Sequence, residues 1–110
     1  MLVRQKNHFQ SVYGSQWPIL NSESGYFTAP NYSGGSNPST YESQAQQLPL
    51  LAQYHLELGI DLSYFELLDD PDPSESQREA NFGLVETPTL SPSSWFDKPA
   101  FQAYRNMILQ

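Results

Sequence analysis

Apolar positions in this chain come in short periodic groups, set apart by stretches rich in Gly, Pro, Ser and Asn. Leu2, Phe9, Val12 and Tyr13 share one helical face, and Gly14 follows as a helix stop, so the spacing predicts a helix over 2–13. Trp17-Pro18-Ile19-Leu20 is a brief apolar run bounded by turn formers, and it predicts a buried strand over 17–23. Residues 24–39 predict a long loop, of the kind that in small domains often carries function. Ser39 and Glu42 have capping-box spacing. Ala45, Leu48, Leu51, Ala52, His55 and Leu58 then recur at threes and fours before Gly59, which predicts a helix over 40–58, kinked at Pro49. IDLSYFELL predicts a strand over 60–68. A polar, prolyl loop is expected over 69–97, with Phe82-Gly83-Leu84-Val85 as a brief extended piece. A last amphipathic helix over 98–109 carries proline in its first turn.

The order is helix, strand, helix, strand, helix. Strands joined through helices run parallel with right-handed crossovers. Two such strands are not a stable sheet alone, because parallel sheets are buried on both faces. The expected fold is therefore α/β and incomplete: residues 1–110 form one partial domain whose strands need neighbours from elsewhere.

Composition narrows the function classes. The 110 residues carry five basic and twelve acidic side chains, a net charge of -7. That argues against nonspecific binding to nucleic acid or to an anionic membrane, since counterion release needs clustered Lys and Arg. Without cysteine there is neither a disulfide framework nor a thiolate metal site. No run approaches the roughly 18 apolar residues of a membrane span. MLVRQKNHFQ lacks the apolar core of a secretion signal, so localisation stays open.

Both predicted strands end in carboxylates: Glu23 on the first, and Glu66, Asp69 and Asp70 on the second. In a (β/α) barrel, strand C-termini and the loops after them form the active face. Carboxylate pairs across a cleft are what glycoside hydrolysis uses, one as nucleophile and one as acid/base in retaining enzymes. Tyr26, Phe27 and Tyr32 follow Glu23 and offer flat apolar faces with polar tips, suited to sugar rings.

WPILNSESGY, SQAQQLPLLAQYHLELG, IDLSYFELLDD, NFGLVE and DKPAFQAYRNMI, in that order, resemble the C-terminal portion of a clan A glycoside hydrolase. The resemblance spans nearly the whole chain. It implies the last quarter of a (β/α)8 (TIM) barrel, from the end of helix six through helix eight. It places the nucleophile of a retaining glycosidase on Glu23 and carbohydrate in the loops above. The acid/base of that family stands on strand four, which has no counterpart here, so the isolated chain is expected to be inactive or nearly so. The partners implied are carbohydrate, and the rest of a barrel or further copies of this chain. The alternative is a noncatalytic carbohydrate-binding or interaction module derived from such a barrel.

Other residues carry milder expectations. Glu66, in mid-strand, either binds a sugar hydroxyl or orients Glu23, or makes a structural ion pair. The acidic set Asp69, Asp70, Asp72, Glu75 and Glu79 reads as a solvated charge run; its spacing and prolines do not fit an EF-hand calcium loop. His55 lies on the apolar stripe of its helix and is expected to pack rather than ligate. Trp17 is expected to pack under a helix, and Gly25 to let the chain turn away beneath the loop. No cofactor and no metal site is expected.

Overall fold

The computed structural model describes residues 2–35, 37–64, 66–70 and 76–109. Helix α1 (Leu2–Tyr13) leads to strand β1 (Leu20–Ser24), then helix α2 (Tyr41–Leu58) and strand β2 (Asp61–Tyr64). Short strands β3 (Val85–Glu86) and β4 (Phe96–Asp97) precede helix α3 (Pro99–Ile108). β1 and β2 pair in parallel, with α2 as the crossover, so the chain is mixed α/β with a small parallel sheet. β3 and β4 form a separate antiparallel pair inside the stretch expected to be loop.

α2 starts at Thr40 rather than at Ser39. The Thr40 hydroxyl accepts from the Ser43 N–H at 3.0 Å, satisfying one of the orphan donors of the first turn. The Ser39 backbone N–H is instead committed to the Phe27 carbonyl. Gly59 ends the helix in the left-handed region at φ 67°, as its position suggested. The helix runs unbroken through Pro49 from Tyr41 to Leu58.

Both strands are shorter than expected. β1 begins at Leu20, beyond the Trp17-Pro18 pair, and Trp17 is exposed rather than packed under a helix. β2 stops at Tyr64 because Glu66 takes φ 67°, a left-handed conformation that no strand tolerates. Phe65 of the expected strand lies outside the described residues. Past this kink the chain resumes pairing, with Leu68 bridging Val85 in parallel.

Among the described residues the interior is two small clusters. Leu48, Leu84 and Ala100 join α2 and α3, with Tyr64, Phe101 and Tyr104 packed against them. Phe27, Ala29 and Phe82 form the other, with Tyr32 against it. Buried polar groups tie these clusters together. Gln44 donates from Nε2 to the carbonyls of Tyr26 (2.9 Å) and Gly83 (3.2 Å). Lys98, wholly buried just before α3, donates to Asp69 Oδ1 at 2.8 Å and to the Thr28 hydroxyl at 2.9 Å. α1 buries no residue; Lys6 donates to the Leu58 carbonyl, and a gap of about 290 Å³ separates Phe9 and Leu2 from Ile19 and Ile60.

The dimensions are those of an open structure. The radius of gyration is 15.8 Å, where a compact domain of this length has about 13 Å. The accessible surface is 7223 Å², against about 6200 Å² for a folded monomer of this mass. No described helix is long and apolar enough to cross a membrane.

Candidate functional site

Glu23 stands at the C-terminal end of β1, where the ladder is irregular. Asn21 pairs with Leu62 and Ser24 with Tyr64, so three steps on β1 match two on β2. The extra residue falls at Ser22-Glu23, and both side chains are exposed in succession. A bulge of this kind breaks the alternation of a strand and re-aims a side chain, and such bulges concentrate next to active sites. Asn21, before the bulge, turns toward α2, where its amide meets His55 Nε2 at 2.9 Å. His55 Nδ1 donates to the Leu51 carbonyl at 2.7 Å, which leaves Nε2 to accept from Asn21. His55 is thus a buried packing histidine, and it anchors the strand that carries Glu23.

Glu23 opens into a polar cleft of about 360 Å³, lined with Ser24, Gly25, Arg78, Glu79 and Phe82. Arg78 and Glu79 come from a short 3-10 turn (Glu79–Asn81 with Arg78 before it). The Arg78 guanidinium lies 5.5 Å from the Phe27 ring centre and 5.7 Å from that of Phe82. Its Nε is 3.6 Å from Glu79 Oε1. Gly25 does not adopt a left-handed turn. Its lack of a side chain makes room for Tyr64, whose ring atoms lie 3.1 Å from where a Cβ would stand.

The other expected site residues are placed elsewhere. Phe27 is a core residue at 6% exposure, its ring meeting Tyr32 edge-on and Phe82 at a tilt, so it has no free face for a sugar. Tyr32 is half-buried with its ring committed to that contact. Tyr26 is half-buried, its phenol pushed up by burial, and it does not line the Glu23 cleft. Glu66 is not in mid-strand and does not line the Glu23 cleft. It lines an apolar groove of about 300 Å³ with Leu67, Leu84, Phe101, Tyr104 and Ile108. Among the described residues its Oε2 is buried without a partner, and burial, then the nearby carboxylates of Asp70, Asp69 and Glu79, push its carboxyl up.

The acidic set is not one solvated run. Asp69 is buried, holding Lys98 and the Gly83 N–H on the same oxygen, both at 2.8 Å. Burial pushes its carboxyl up, while Lys98 and Gly83 pull the other way. Glu79 faces the Glu23 cleft, and Asp72 and Glu75 lie outside the described residues. Among the described residues no group of three or more His, Asp or Glu side chains is placed to hold a metal ion.

Nothing in SQREAN marks Arg78 and Glu79 as site residues in the sequence. They reach the Glu23 cleft because the Phe27–Phe82 contact and the Thr28 N–H, which donates to the Asn81 carbonyl at 2.9 Å, join two loops more than fifty positions apart in sequence. Compared with protein-family models, with curated proteins and with solved structures, the chain matches none.

Proposed function

We propose that this chain is one sector of a retaining glycoside hydrolase barrel, the last quarter of a (β/α)8 fold, with Glu23 as the nucleophile. The observation that carries the proposal is the position of Glu23. It sits in a bulge at the C-terminal end of a parallel strand, exposed at a polar cleft. α/β barrels place their reacting groups at that end of the strands.

In such chemistry a carboxylate attacks the anomeric carbon while an acid protonates the departing glycosidic oxygen. The carbon–oxygen bond breaks with its electron pair going to that oxygen, and water later hydrolyses the glycosyl ester. This chain supplies the nucleophile, and the proton donor comes from strands outside it. The open dimensions support an incomplete barrel, as does the apolar groove beside α3, where Leu67, Ile108 and Leu109 are exposed. The excess surface, roughly 1000 Å² over a compact monomer of this mass, is on the scale of one partner's share of a stable interface, about 800 Å².

The division of labour gives a direct test. A dinitrophenyl leaving group departs without protonation, so a lone nucleophile can displace it. Incubation with dinitrophenyl fluorosugar glycosides of several configurations is expected to leave one glycosyl ester, on the peptide containing Glu23 by mass spectrometry. Alkyl glycosides, whose leaving groups need a proton, are expected to remain intact. Adduct on another residue, or none in any configuration, removes Glu23 from the nucleophile's role. Glycan binding without adduct leaves a noncatalytic module.

A further inference from the structure

Resting on the carbohydrate assignment above, we infer that Arg78 and Glu79 position a neutral pyranose in the Glu23 cleft and exclude uronic acids. Three observations converge on this. Glu23 and Glu79 line one cavity of about 360 Å³, roomy enough to admit a sugar ring, with Arg78 and Ser24 beside them and Phe82 as an apolar wall. A carboxylate accepts from two hydroxyls, and a guanidinium donates in a fixed fork. Together they match a vicinal diol, which must donate on one side and accept on the other.

Arg78 is held ready for this. Its guanidinium rests over two rings whose centres are 5.5 Å apart, Phe27 and Phe82, and both belong to a buried cluster. Such cation–π contact holds the guanidinium beside the cleft that Arg78 lines. Glu79 stands 3.6 Å from Arg78 Nε, beyond hydrogen-bond length, so their pairing does not saturate either group. The Glu79 side chain is 74% exposed and meets incoming ligand at little desolvation cost.

Charge decides the class of sugar. Among the described residues lining the cleft, two carboxylates outnumber one guanidinium, on a chain whose net charge is -7. A uronate would bring a further carboxylate against Glu23 and Glu79, with Arg78 the one described lining cation to offset it, whereas a neutral pyranose meets no such repulsion.

Saturation-transfer NMR and calorimetry with methyl glucoside, xyloside, mannoside, galactoside and glucuronide test this on the whole chain. At least one neutral glycoside is expected to bind, and the glucuronide is expected not to. Glu79→Gln and Arg78→Lys are each expected to weaken binding roughly tenfold or more, the loss typical of a hydrogen bond to a charged group. Arg78→Lys keeps the charge and the stem over the rings, and Glu79→Gln changes an exposed side chain. Unchanged thermal unfolding in both assigns any loss to the cleft. Binding unaffected by both variants overturns the proposal, as does binding of the glucuronide equal to the glucoside, or binding by none. These outcomes are separate from the fate of Glu23. Labelling of Glu23 with binding indifferent to Arg78 and Glu79 keeps the nucleophile and removes this cleft's positioning role. Binding lost in the variants without labelling does the reverse.

Discussion

At the scale of single residues, the largest energetic commitment is Lys98. An ammonium with no exposed surface is held by one carboxylate oxygen and one hydroxyl, and it lies 5.7 Å from the Tyr41 ring centre. Removing one partner of a buried pair leaves the other charge uncompensated. Lys98→Met is therefore expected to cost about 3–5 kcal/mol, enough to unfold a chain of ordinary stability, measured by urea denaturation. Tyr64 carries the clearest pH signature. Burial above all pushes its phenol from 10.0 up to about 12. The unfolded chain releases this proton first, so the contribution is whole below pH 10 and is lost as pH rises toward about 12. The urea midpoint is expected to fall over that window, and Tyr64→Phe to remove this part of the fall. At neutral pH the same variant is expected to lose about 1 kcal/mol with the hydrogen bond to the Phe82 carbonyl. Neither role is legible from sequence, because the partners of Lys98 (Asp69 and Thr28) and of Tyr64 (the Phe82 carbonyl) lie far away along the chain.

At the scale of elements, helices were read well and strands poorly. α1 and α2 lie within a residue of their expected ends because a helix is specified by neighbours three and four positions away and by its caps. The cap is not fixed by sequence, since Ser39, Thr40 and Glu42 allow two registers; the structure takes Thr40, with the Ser39 N–H donated to the Phe27 carbonyl. Thr40→Ala is expected to lower stability by about 1 kcal/mol and Ser39→Ala by a few tenths, compared by thermal denaturation. Strand ends depend on partners remote in sequence. The bulge at Ser22-Glu23 and the left-handed Glu66 exist because β1 and β2 must meet each other and the returning Leu84-Val85 segment. Glycine at 83 answers the same crowding. A Cβ there would stand 2.2 Å from the Asp69 nitrogen, so Gly83→Ala is expected to be among the most destabilising single changes in the chain, assayed by the same denaturation.

At the scale of the whole molecule, the dominant feature is surface that asks to be covered. Among the described residues β1 and β2 have only each other as regular strand partners, and the groove beside α3 is apolar and open. Unpaired parallel edges flanked by exposed leucines promote association. The isolated chain is expected to self-associate at micromolar concentration in sedimentation velocity, and Leu67→Lys with Ile108→Lys to return it toward monomer. A monomer independent of concentration would mean that these faces need no partner.

What the sequence by itself determined is local and periodic: three helices, their order with two intervening strands, a parallel pairing implied by that order, and Glu23 as the acid at a strand end. Those features follow from side-chain spacing and connection length, which a single segment carries within itself. Only the tertiary structure decided which carboxylates share a cleft. Glu66, five residues along from β2's start, turned away into an apolar groove, while Glu79, from a loop that read as solvated charge, came to face Glu23 beside Arg78. The physical reason is that this meeting is set by packing of Phe27 on Phe82 and by the buried Asp69–Lys98 pair. Both join residues far apart along the chain, where no periodicity reaches.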